Sequence, residues 1–157
     1  MKVDFRPVIL TLLLAAGAAR GAELGPVDAG SGSADPALER YGAARERQDW
    51  PGAAAAMREA LAGQPNNADY HNLYAYALRR SASPDMALVF RHYNEALRID
   101  PEHRQAHEYL GEAYLTVGNL AKAKEHLAVL DRLCTFGCSE YSDLKQAVAE
   151  FEAKRRN

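Results

Sequence analysis

Residues Pro101 to Cys134 read PEHRQAHEYLGEAYLTVGNLAKAKEHLAVLDRLC. Leu110, Gly111 and Tyr114 recur at the spacing of one face of a helix, Gly118 and Asn119 break it, and Ala123 and Leu127 fall on the inner face of a second. The stretch is therefore a helix hairpin. Two amphipathic helices of this length cannot bury both apolar faces alone, so the hairpin needs neighbours, which should show as self-similarity at a fixed period.

Two more worn copies stand upstream. One closes at Pro101 and carries His71, Tyr74, Ala75 and Leu78, then Val89, Tyr93 and Ala96. The other closes at Pro65 and carries Tyr41, Ala44, Trp50, Ala53, Met57 and Ala60. Pro65 and Pro101 are 36 residues apart, and the turn SASPD between Arg80 and Met86 is the simplest place for the extra length. Gln48-Asp49 and Gly118-Asn119 mark equivalent turns. Small residues (Ala53, Ala75, Gly111, Ala123) let helix backbones approach, while Tyr, Leu and Met fill the remaining space.

His107, Leu110, Gly111, Tyr114, Ala123 and Leu127, with the closing prolines, resemble the tetratricopeptide repeat (TPR) family over residues 36 to 134. The resemblance implies an all-α fold, a right-handed superhelix of antiparallel helix hairpins with repeats at 36-65, 66-101 and 102-134. Arg40 stands where the pattern wants an apolar residue, so the first helix is expected at an edge. After Cys134 the register breaks. A last helix over 139-155, with Tyr141, Leu144, Val148 and Phe151 on one face, is expected to cap the apolar end of the stack.

The amino-terminal part reads differently. Residues 1-22 have the look of a signal peptide: Lys2 and Arg6 lead, Val8 to Ala19 is apolar apart from Thr11, and small residues follow. That run is shorter than the ~20 residues that cross a bilayer, so no stable membrane span is expected. The expectation is a periplasmic or secreted protein. Residues 23-35 lack periodicity and are rich in Gly, Ser and Ala, as a flexible tether is. Asp35-Pro36 then supplies a cap and a first helical residue for the domain at 36-157.

Composition narrows the function. The formal charge of −2 falls to about −4 without the leader, and basic and acidic residues alternate until Lys154, Arg155 and Arg156, so a nucleic-acid partner is not expected. No nucleophile elbow, phosphate loop or paired-carboxylate signature appears, and we expect neither catalysis nor a cofactor. His103 and His107, four apart, could face one metal ion. They equally suit a helix start and the bulky inter-helix position.

Cys134 and Cys138 carry the remaining chemistry. In an oxidising compartment two cysteines favour a disulfide. Four residues apart on an unbroken helix their Cβ atoms would lie about 5 to 6 Å apart against the ~3.8 Å required, so the helix must end between them, and Gly137 offers the turn. The rival reading is a soft-metal site, since paired thiolates favour copper(I) or zinc. The pair resembles the Cys-x-x-x-Cys of periplasmic copper-handling proteins in those two residues.

The family resemblance implies a concave groove, lined by the first helices of successive units, that receives a peptide or partner helix. By position it presents Asn72, Tyr76, Arg79 and Arg80 from the second unit and Gln105, Glu108, Glu112 and Leu115 from the third. The expected function is protein binding by an adaptor in the cell envelope. Metal trafficking through the cysteine pair and a non-catalytic subunit of an envelope enzyme complex are the alternatives.

Overall fold

A computed structural model describes residues 35-156; the leader and nearly all of the tether lie outside the described residues. Among the described residues seven helices follow one another: α1 Pro36–Glu46, α2 Trp50–Gly63, α3 Ala68–Arg80, α4 Met86–Ile99, α5 Arg104–Thr116, α6 Leu120–Leu133 and α7 Ser139–Arg156. Their starts are set by local chemistry. Asp35, Asp49, Asn67, Asp85, His103 and Asn119 each turn a side-chain acceptor onto the free amides of the first turn.

The turns inside the first and third hairpins are the same device. The amide of Asp49 donates to Ala44 O, and that of Asn119 to Tyr114 O. The preceding residue is left-handed in both, Gln48 at φ 57° and Gly118 at φ 79°. Glycine takes that conformation without strain, whereas Gln48 holds it against its own Cβ.

Each helix packs on the next, and α3 also lies beside α5, and α5 beside α7. The even-numbered helices do not approach one another in this way. From α3 onward the odd-numbered row is thus the more closely spaced layer, as the inner layer of a curved stack is. Apolar burial follows the same plan. Tyr41 and Met57 of the first hairpin share a core with Tyr70 of α3; Val89 and Tyr93 share one with Leu110 and Ala113 of α5. A third core joins Ala123 and Leu130 to Leu144 and Val148 of α7. No hairpin completes its own core, which is why the sequence has to repeat.

As expected from Arg40, α1 is an edge: among the described helices its backbone comes close to α2 alone, with Arg40 exposed and paired to Glu59 at 2.9 Å. The capping helix is less of an outsider than its sequence suggests. It sits against both α5 and α6, and it lies much more closely on α5 than α5 does on α3. A Cβ on Gly111 would lie 2.6 Å from Leu144 Cδ2, so this small residue is what admits the buried leucine.

Candidate binding groove

The inner row brings most of the expected groove residues into pairs. Asn72, fully buried, donates from Nδ2 to Gln105 Oε1 at 2.8 Å, and Arg79 reaches Glu112 at 2.7 Å. Tyr76 packs on Tyr109 with ring centroids 4.5 Å apart, and the Arg79 guanidinium lies 5.5 Å from one ring and 5.9 Å from the other. Two residues go elsewhere. Arg80 stacks over Trp50 of α2 at 5.1 Å, and Leu115 packs into the core shared with α7.

Glu108 occupies a different environment from the others. Only 8% of it is exposed, and it makes no hydrogen bond among the described residues. Its carboxyl is pushed up to about 8, by burial first and then by Glu112, Asp143 and Glu140, with Arg79 opposing. Glu140 and Asp143 belong to α7, which the repeat pattern does not cover. Tyr109 was also missed, because its place in the groove depends on how α3 and α5 cross rather than on its own spacing.

The histidines form two matching bridges. His71 sets Nε2 on Pro65 O at 2.9 Å and Nδ1 on His92 Nδ1 at 2.8 Å. His107 repeats this, with Pro101 O at 3.0 Å and His126 Nδ1 at 2.9 Å. A carbonyl only accepts, so the neutral His71 and His107 carry the proton on Nε2 and accept at Nδ1. His92 and His126 must then donate from Nδ1. His103 is engaged apart from His107: its Nδ1 caps α5 at Ala106 N, and its Nε2 lies 3.0 Å from Asp69.

The sulfurs of Cys134 and Cys138 lie 2.06 Å apart, the distance of a disulfide, with Cα atoms 5.6 Å apart. The helix ends one residue earlier than the geometry demanded, at Leu133, and Gly137 takes the left-handed turn at φ 84°. Cys138 then starts α7, its sulfur accepting from Tyr141 N at 3.4 Å. Among the described residues, no group of three or more His, Cys, Asp or Glu side chains is placed to hold a metal ion, and no helix is long and apolar enough to cross a membrane.

No protein-family model matches the sequence, and no curated protein does. Among solved structures, the fold is similar to a chain described as the TPR2B-domain:pHsp70-complex of yeast Sti1, with a TM-score of 0.66 and 22% sequence identity. The match covers 75% of this chain and 94% of that one. The fold is accordingly an all-α, TPR-like solenoid.

Proposed function

We propose that this chain is a non-enzymatic interaction module that takes a peptide or partner helix along the inner face of α3, α5 and α7, and that it works in the cell envelope after loss of its leader. The observation that carries the reading is the inner row itself. Three helices lie side by side there, and α3 and α5 meet through polar and aromatic side chains rather than more apolar core. The similar domain of yeast Sti1 is described in complex with pHsp70, which supports peptide binding as the use of such a face. A disulfide at Cys134 and Cys138 agrees with an oxidising compartment.

Site-specific photo-crosslinking in the native host tests it. A crosslinkable residue at Gln146, exposed beside α5, should capture a discrete partner that the same residue at the exposed Asp131 of α6 does not. Equal capture from both positions would move the interface off the groove.

A further inference from the structure

We propose that the furrow between α5 and α7 binds a basic peptide segment, seating one lysine or arginine side chain against Glu108. The inference rests on the interaction reading above and adds the chemistry of the ligand. Glu108 is more than nine-tenths buried and bonds to none of the described residues, while its oxygens are not among the enclosed polar atoms that lack a partner, so they keep an opening through which a donor can reach them. The groups nearest it add to the deficit. Glu112 already serves Arg79, while Glu140 and Asp143 bring more negative charge from α7.

Two open depressions reach α5 on either side of Glu108 in the chain, one at Gln105 and one at Glu112, though Glu108 lines neither. One, of about 390 Å³, is lined by Asp69, Asp100, Glu102 and Glu140 against a single arginine, Arg104, with His103 and Gln105 beside them. The other, of about 260 Å³, is lined by Glu112, Asp143 and Glu150 with Gln146 and Ala147, and no lysine or arginine borders it. On α7 the residues Glu140, Asp143, Ala147 and Glu150 follow the three-four spacing of a single helical stripe. That stripe runs about 15 Å, the length of four or five extended residues.

An ammonium or guanidinium group would supply N–H donors and an opposite charge as Glu108 releases to solvent the proton it holds in the empty groove, forming a charge-assisted hydrogen bond. Further basic residues on either side would meet carboxylates in both depressions. An acidic chain terminus would meet the same groups and be repelled.

Fluorescence anisotropy with three labelled, amidated octapeptides tests this at about 0.15 M salt, where remote charges are screened. The peptides alternate Lys-Ala, Gln-Ala and Glu-Ala. The Lys-Ala peptide should bind at least about tenfold more tightly than the others. The isosteric pair Glu108→Gln and Asp143→Asn should remove most of that preference, whereas Asp131→Asn on α6 should leave it intact. Should the buried substitution disturb folding, Asp143→Asn with Glu150→Gln, both at exposed positions, repeats the test and should weaken binding severalfold. Equal binding of the Gln-Ala peptide, or undiminished Lys-Ala binding in both double variants, overturns the proposal. If no peptide binds while Gln146 still captures a partner, the basic-ligand inference falls and the interaction reading stands; loss of both results removes both.

Discussion

Glu108 shows how far one position can be read from a chain and where reading stops. Its place on the inner face of α5 follows from the repeat register, but its burial does not. That is imposed by α7, which begins after the register has failed at Cys134-Thr135. The consequence is measurable. An acid held above its ordinary value stabilises the fold only while it keeps its proton. For Glu108 that contribution is whole below 4.5, erodes as the pH rises, and is gone above about 8. Glu108→Gln fixes the neutral state. It should leave the melting temperature unchanged near pH 4 and raise it by about 3 to 6 °C near pH 9. Thermal melts across that range check the sign, and an equal gain at both ends would show an ordinary, solvated carboxyl.

At the scale of the helix, the legible part was punctuation. Prolines, the Gln48-Asp49 and Gly118-Asn119 turns and the Asp35 cap are local, each set by a few neighbouring residues, and the turns show it in the left-handed Gln48 and Gly118. The bridges between helices were not legible, because they depend on packing across a hairpin. His107 was placed in the bulky position, yet nothing local to His126 signals a partner nineteen residues earlier. Comparing units could have found it, since His71 and His92 stand at the equivalent places. These bridges carry a pH dependence. His92 is pulled down to about 4 by burial and then by His71 and Arg91, with Glu95 opposing. His126 is likewise pulled down to about 4 by burial and then by His107, with Glu125 and Lys122 on either side of the balance. A base with a depressed value stabilises the fold fully above its ordinary 6.5, and that contribution is lost as the pH falls through about 4. His126→Phe leaves His107 Nδ1 without its donor. It should cost about 1 kcal/mol at pH 7.5 and less at pH 4.5. Nitrogen-15 spectra of the unaltered protein should show Nδ1–H tautomers at His92 and His126 and Nε2–H tautomers at His71 and His107; the opposite pattern would remove the bridges.

For the whole molecule, the Cys134 to Cys138 corner decides whether α7 behaves as a tail or as part of the array. The cysteines flank three residues, Thr135, Phe136 and Gly137, of which Phe136 is fully exposed. Closing so short a loop removes little chain entropy, about 2 kcal/mol, so the bond is a poor global staple. Its leverage is positional. Cys134 ends α6 and lies in the third core, Cys138 starts α7, and α7 supplies Leu144 to that core and Glu140 and Asp143 to the furrow. In a solenoid each unit contacts only its neighbours, so a disturbance at one end spreads little. Replacing both cysteines by serine should therefore raise amide exchange in α7 and the facing side of α5 while leaving α1 to α4 protected. Binding of the Lys-Ala peptide should weaken along with it, because half of the furrow would lose its fixed angle. Exchange rising evenly across all seven helices would instead make the bond a staple of the whole fold. Unchanged exchange would show that burial of Leu144 and Val148 holds α7 in place without it.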